Sequence, residues 1–241
     1  KPFDNHEEPM DPGKVLTEKE LEDLAGNWGR YIDKDGDGIG YRTFPGNNPP
    51  LSSYFTRGPG HDEYAHYSEE GSVYLANMDR LKKKQETAKQ YVPAPVIRTI
   101  KGATAGIISY GSTEAAVLEA QYQLEKEHGI KTDFLRIRAI PFTAEVDAFL
   151  AKYDQIFIVE MNRDGQMDQI LKTEYAQFAP KFKSVAHGDG MPASAKWVRE
   201  GILAQYESGV KKASSNQKSV TIKKAAPAKK SSVPKNMVIK I

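Results

Sequence analysis

Four branched or aromatic residues, Ile156-Phe157-Ile158-Val159, stand between Gln155 and Glu160 with no polar residue among them. Such a run is the pattern of a strand buried on both faces by helices, which belongs to a parallel α/β sheet. Glu160, Asn162, Asp164 and Gln166 follow around Gly165, and then Met167, Ile170 and Leu171 at helical spacing. The stretch Gln155 to Leu171 therefore reads as strand, turn and helix. In an open α/β sheet the polar groups after such a strand lie at its carboxyl edge, beside the free N–H groups of the next helix, where ligands or partner subunits bind. A solvated loop turning on a glycine is the plain alternative.

The same alternation recurs on both sides. Gly106 to Tyr110 reads as a strand, and Ser112 caps a helix through Val117, Leu118, Ala120 and Leu124 to Gly129, a fitting residue just past a helix end. Thr132 to Ile137 is a second strand, followed by a helix capped by Thr143 that buries Val146, Phe149 and Leu150. After Gln155 to Glu160, a final strand at Ser184 to Ala186 and a helix from Ser194 to Gln205 complete the series. The expected class is α/β, a mainly parallel sheet flanked by helices with right-handed crossovers. Its loops at Tyr110-Gly111-Ser112, Ala139 to Phe142 and Met161 to Gln166 then share one edge.

The first 95 residues are less regular. Lys1 to Gly13 reads as an extended segment. A helix is expected over Leu16 to Trp28, where Thr17 and Glu20 form a capping box, Leu16 staples onto Leu21, and Gly26 and Gly29 end the element. Asp33, Asp35 and Asp37 alternate as in the first half of a calcium-binding EF-hand loop. The second half departs, with Gly40 where an aliphatic residue belongs and Phe44 where glutamate belongs, so an Asx-rich turn is favoured and the three aspartates are the weaker metal candidates. Gly36-Asp37-Gly38 with Asn47-Asn48 resembles a thiamine-diphosphate motif at far too short a separation. Thr43 to Tyr67 is an irregular segment dense in chemistry, with Arg57, His61, Asp62 and Glu63 on one glycine-hinged loop and His66 expected in a different environment. Tyr74 to Tyr91 has the spacing of a long polar helix, and Pro93 and Pro95 mark a linker.

The 241 residues include no cysteine, which excludes disulfides, a thiolate nucleophile and any iron–sulfur cluster ligated by this chain. No apolar run nears the roughly 20 residues of a membrane span, and no charged-then-apolar leader opens the chain. The expectation is a soluble, cytoplasmic protein. The net charge of +2 conceals an asymmetry: nine of the 34 basic residues are lysines of 211–241, a stretch without arginine or acid, so 25 bases face 32 acids in residues 1–210, a balance of −7. The acidic body argues against a nucleic-acid-binding fold. The Ser-, Lys-, Ala- and Pro-rich end reads as a flexible arm, whose last residues, Met237 to Ile241, are apolar enough to dock on a surface.

Tyr110-Gly-Ser, Gly129-Ile, Ile140-Pro-Phe and Val159-Glu before a glycine turn together resemble the transketolase carboxyl-terminal domain of thiamine-diphosphate enzymes. Tyr41-Arg-Thr-Phe-Pro-Gly46, Tyr54-Phe-Thr-Arg-Gly-Pro-Gly-His-Asp-Glu-Tyr64 and Glu160-Met-Asn-Arg-Asp-Gly-Gln-Met167 are similar to the alpha subunit of 2-oxoacid:ferredoxin oxidoreductases, particularly the 2-oxoglutarate type. The likeness covers Pro9 to Leu203. It implies a reaction converting a 2-oxoacid and coenzyme A to acyl-CoA and carbon dioxide, with electrons passed to ferredoxin. It also implies a beta subunit that carries thiamine diphosphate, magnesium and an iron–sulfur cluster, none of them held by this chain alone. Residues 1–95 then correspond to the end of a pyrimidine-binding domain and its connecting segment, 96–207 to the transketolase-like domain, and 208–241 to a lysine-rich tail. Most of the pyrimidine-binding domain would belong to a preceding or separate chain, so this chain is expected to be inactive alone.

On that resemblance Arg42, Thr43, Arg57, His61, Asp62, Glu63, Asn162 and Gln166 are the candidates for positioning substrate or coenzyme A, or for tying a subunit interface. Arginine suits a carboxylate or phosphate through its two-pronged fork, and histidine suits proton handling. No catalytic residue is assigned. The competing reading is a non-catalytic α/β interaction module whose basic arm meets an acidic partner or nucleic acid.

Overall fold

The computed structural model describes residues 11–25, 27–44, 46–47, 52–56 and 60–207. Its helices are α1 (Glu18–Asp23), α2 (Gly71–Ala88), α3 (Glu114–His128), α4 (Ala144–Lys152), α5 (Gln166–Glu174) and α6 (Ala195–Leu203), and its strands β1 (Val96–Arg98), β2 (Ala105–Tyr110), β3 (Thr132–Ile137), β4 (Ile156–Glu160) and β5 (Phe182–Ala186). The five strands form one sheet in the order β1-β3-β2-β4-β5. Four are parallel, in a register that opposes Tyr110 to Ile137, Ser109 to Val159 and Glu160 to Ala186. The expected mainly parallel sheet flanked by helices is thus present, and the carboxyl ends of β2, β3, β4 and β5 line up along one edge.

The order explains the layering. From β2 the chain crosses to β3 on one side, then returns past β2 to β4, and right-handed crossovers place the two connecting helices on opposite faces. On one face Val117 and Leu124 of α3 and Val198 and Ile202 of α6 pack with Ile107, Phe134, Phe157 and Val159. On the other, Val146, Phe149 and Leu150 of α4 and Met167 and Leu171 of α5 pack with Ile108, Leu135, Ile156 and Ile158. Every residue of β4 is buried, as expected of a strand covered on both faces. The connection reverses direction between β2 and β4, so their carboxyl ends flank the topological switch point where such sheets bind ligands.

Several boundaries differ from the sequence expectation for local reasons. The helix expected at Leu16 to Trp28 is confined to α1: its capping box of Thr17 and Glu20 forms, but Ala25 adopts a left-handed φ of +45° and the chain turns there. Leu16 and Leu21 are both buried, as the staple requires. Ser112 does not cap α3; Gly111–Thr113 form a 3-10 turn that feeds the helix, which ends on left-handed Gly129. Thr143 takes the extended N-cap backbone of α4 without a side-chain hydrogen bond to the helix, whereas Ser194 accepts from the Trp197 N–H. β5 starts two residues early, at Phe182, because that ring belongs to the α4–α5 core. The linker expected after Pro93 and Pro95 contains β1, an antiparallel edge strand on β3.

The helix expected at Tyr74 to Tyr91 is α2, shifted one turn toward the amino end. None of its side chains is fully buried. Its apolar residues Tyr74, Leu75, Met78 and Leu81 stay exposed, and its polar face does the docking: Arg80 donates to the Gly38 carbonyl, Thr87 to the Asp37 carbonyl, and Asn77 to the His61 carbonyl. Among the described residues no helix is long and apolar enough to cross a membrane. Residues 1–10 of the extended segment, Gly26, and 208–241 with the arm and the Met237 to Ile241 docking expectation lie outside the described residues.

Candidate functional site

The switch-point rim is organised by Glu160. Its side chain is fully buried at the end of β4; the carboxylate turns onto α5, accepting from the Met167 N–H at 3.0 Å and the Asp168 N–H at 3.1 Å. Glu160 thereby satisfies two of the amide donors that a helix start leaves without intrahelical partners, and sets negative charge against the positive end of the helix dipole. Gly165 makes the approach possible. Its φ of +64° is left-handed, and a Cβ there would stand 3.0 Å from the Ser184 Oγ and 3.7 Å from a Glu160 carboxylate oxygen. Burial, with the charge of Glu160 adding to it, raises the pKa of Tyr110 at the end of β2.

Asn162 and Gln166, the candidates on this rim, hold each other. Asn162 donates from Nδ2 to the Gln166 Oε1 at 2.9 Å and accepts from the Asp164 N–H at 3.0 Å. This closes the turn, while Gln166 remains exposed at the first position of α5. On the neighbouring strand end, His187 pairs with Asp189 at 2.9 Å and packs on Trp197 at 4.8 Å between ring centroids. The Met191 N–H and His187 hold the Asp189 carboxyl below its usual range. A cleft of about 490 Å³ runs beside the rim between the end of α2 (Gln85, Glu86, Lys89), the Ile140-Pro141-Phe142 turn with its cis proline, and Asp147, Glu174 and Tyr175.

The loop candidates form a second cluster. His61 stacks on Tyr31 at 4.0 Å and pairs across a short antiparallel bridge with Tyr67. That bridge brings His66 back to Asp62, at 3.3 Å, so the expectation of a separate environment for His66 is corrected: the turn between the bridge residues folds it onto the same carboxylate. Asp62 also accepts from the Tyr64 and His66 N–H groups at 2.9 Å. Burial pushes its carboxyl up, but these donors and the His66 ring outweigh burial and hold it below its usual range. Asp62 and Glu63 line an open cleft of about 380 Å³ with Tyr31, Asn77 and Arg80. Thr43 donates to the Ser52 carbonyl at 2.6 Å, and Arg42 to the Pro12 carbonyl, so both tie loops together. Arg57 lies outside the described residues.

Asp33, Asp35 and Asp37 hold a lysine. Lys14 Nζ sits 2.6 Å from Asp35 and 2.5 Å from Asp37, while Asp33 accepts from the Asp37 and Gly38 N–H groups and faces Lys83 at 3.5 Å. The EF-hand likeness therefore resolves into an Asx turn closed by an ammonium group. Sequence reasoning passed over Glu160, Tyr31 and Arg80 as organisers of their sites; the signal for Glu160 was its place directly after an uninterrupted apolar strand.

No family model matches the chain. It is 28% identical over 209 residues to 2-oxoacid:ferredoxin oxidoreductase 2, subunit alpha, of Aeropyrum pernix, covering 84% of this chain and 31% of that protein. Over 157 residues it is 30% identical to the 2-oxoacid:ferredoxin oxidoreductase alpha subunit of Saccharolobus solfataricus, covering 63% of this chain and 24% of that protein. Both of these relatives are 2-oxoacid:ferredoxin oxidoreductase alpha subunits. The chain spans less than a third of the length of these alpha subunits. The fold matches a solved 2-oxoglutarate:ferredoxin oxidoreductase from Magnetococcus marinus, with 2-oxoglutarate, coenzyme A and succinyl-CoA bound, at a TM-score of 0.62 and 23% identity over 73% of this chain and 30% of that one.

Among the described residues the donors do not suit an iron–sulfur cluster or a magnesium diphosphate. There is no thiolate, Asp35 and Asp37 are bridged by Lys14, and no group of three or more acidic or histidine side chains converges for a metal among the described residues.

Proposed function

We propose that this chain is the carboxyl-terminal part of the alpha subunit of a cytoplasmic 2-oxoacid:ferredoxin oxidoreductase. The complex converts 2-oxoglutarate and coenzyme A to succinyl-CoA and carbon dioxide and passes the electrons to ferredoxin. Thiamine diphosphate, magnesium and an iron–sulfur cluster reside in a beta subunit and supply the decarboxylation and electron transfer. Residues 1–95 end a pyrimidine-binding domain and connect it to a transketolase-like domain at 96–207, with 208–241 as a tail, and the chain is inactive without its partners.

Kinship with alpha subunits over 84% of the chain carries this reading. The rim supports it: Glu160 pins the start of α5 while the mutually bonded Asn162 and Gln166 stiffen the turn beside the switch point. Arg42, Thr43, Arg57, His61, Asp62, Glu63, Asn162 and Gln166 are proposed to position loops and subunit contacts, and the hydrogen bonds that Arg42, Thr43, Asp62, Asn162 and Gln166 make within the loops favour that role over bond-making chemistry. Co-expression with the beta subunit and with the rest of the alpha subunit tests it. The chain should copurify in a complex containing thiamine diphosphate and an iron–sulfur cluster; recovery of the chain free of the beta subunit would refute the assignment.

A further inference from the structure

We infer that a groove between the Asp33 to Gly40 loop and α2 is a binding site for a phosphate-bearing anion of nucleotide size. The groove holds about 340 Å³ and is walled by Lys14, Arg30, Arg42, Arg80 and Lys84, with no carboxylate among its described lining residues. Its volume falls in the range of small-molecule sites.

Lys14 is neutralised by Asp35 and Asp37. The other four cations have no ion pair among the described residues. Arg30 donates to the Tyr54 hydroxyl at 3.3 Å, Arg42 to the Pro12 carbonyl and Arg80 to the Gly38 carbonyl at 3.2 Å. The Arg80 Nε is buried with no acceptor at all. Both Arg30 and Arg80 place their guanidinium carbon within 5.4 Å of the Tyr31 ring centre, so two like charges share one aromatic platform. Burial, and then the charge of Arg30, lower the pKa of Arg80.

The fold maintains this arrangement. A Cβ on Gly38 would stand 2.4 Å from the Lys84 amide nitrogen and 2.7 Å from the Arg80 carbonyl, so the loop lies directly on α2 and presses the two walls together. Four cations without an ion pair among the described residues, gathered in one groove on a body that carries net negative charge over residues 1–210, are not general surface basicity, and the charge of Asp33 offsets that of Arg80 only in part. Like charges held together in a partly desolvated groove repel, and an anion between them removes that repulsion. Guanidinium forks match the tetrahedral oxygens of phosphate, with lysine adding a mobile point charge. The inference rests on the groove's own geometry and not on the proposed reaction, of which coenzyme A is one phosphate-bearing substrate.

The test is calorimetric titration of the full 241-residue chain with inorganic pyrophosphate at low salt, with Arg30→Gln, Lys84→Gln and the tail control Lys211→Gln/Lys212→Gln alongside. Saturable one-to-one binding is expected. It should weaken at least about tenfold in each groove variant, stay unchanged in the tail control, and fall with added salt. Competition by coenzyme A or by ATP then identifies a coenzyme or a free nucleotide as the source of the phosphates. Absence of saturable binding overturns the inference, as does binding that survives both groove substitutions or disappears with the tail control. Lys84 is exposed, so its substitution keeps the test decisive should Arg30→Gln disturb the fold.

Discussion

Glu160→Ala removes the carboxylate that hydrogen-bonds the end of β4 to the start of α5. The Met167 and Asp168 N–H groups it accepts from, at 3.0 and 3.1 Å, lie in buried surroundings, so water does not readily replace the carboxylate. Each buried donor left without a partner costs about 1–3 kcal/mol, and the two together about 2–6 kcal/mol. Glu160→Gln keeps one acceptor oxygen and turns an amide NH₂ toward the second donor, which predicts a loss of about 1–3 kcal/mol. Against a typical total stability of about 5–15 kcal/mol, the alanine variant is severely weakened and the glutamine variant is intermediate. Urea unfolding followed by far-ultraviolet circular dichroism measures both, with Glu22→Gln, an exposed residue of α1, as a control expected within about 0.5 kcal/mol of wild type. Amide exchange at Met167 and Asp168 should accelerate in step. A Glu160→Ala protein within about 0.5 kcal/mol of wild type would show that Glu160 does not hold the rim together.

Five further outcomes test other parts of the structure. Tyr153 donates to buried Asp133, which also accepts from Lys152 at 2.6 Å and from the Ile100 N–H at 2.9 Å; Tyr153→Phe should cost about 1–3 kcal/mol in the same urea assay. Burial first, and then Asp133, push the Tyr153 hydroxyl up to about 12, so its absorbance change should come well above the ordinary tyrosine value of 10. Gly106→Ala places a Cβ 2.7 Å from the Phe149 ring, and such overpacking should cost about 1–3 kcal/mol. In the Lys14 cluster, burial works against the ammonium, but Asp35 and Asp37 outweigh it and raise its pKa; the aspartates are correspondingly lowered. A raised lysine stabilises fully below its unfolded value and loses that contribution as pH rises through the folded one, whereas lowered aspartates stabilise above their unfolded value and lose it as pH falls through the folded one. The loop should therefore hold through neutral pH and loosen in acid, below the ordinary aspartate value of 3.8, as followed by exchange of the Asp37 and Gly38 amides. Calcium at millimolar concentration should leave the melting temperature unchanged, because the ammonium already stands between these carboxylates.

The sheet was legible because its strands carry their own pattern. Ile156 to Val159 could be buried only on both faces, and Thr132 to Ile137 coincides with β3 to the residue. β1 was hidden because Val96, Ile97 and Arg98 are three residues on an edge, half-buried at most, and two prolines beside them give a stronger local signal than so short a strand. For α2 the limit was of a different kind. Its polar character was legible, but the helix is held by Arg80, Asn77 and Thr87 bonding to loop carbonyls more than 15 residues away, contacts that no periodicity encodes. The acidic loop shows the same limit. Three aspartates spell a cation site in sequence, and the cation proves to be Lys14, 21 residues upstream of Asp35. The resemblance pointed to the same alpha subunits that the sequence comparisons match, whereas the residues that shape the rim and the groove, Glu160, Tyr31 and Arg80, emerged only from contacts between elements.

The central claim is that this chain completes a 2-oxoacid oxidoreductase, and ferredoxin reduction by the assembled complex tests it most directly. With beta subunit, the remainder of the alpha subunit and this chain together, ferredoxin should be reduced only when 2-oxoglutarate and coenzyme A are both present, with succinyl-CoA formed in step, and omission of this chain should abolish the signal. A complete assembly that reduces ferredoxin equally well without this chain, or that reduces none with any 2-oxoacid, would contradict the account.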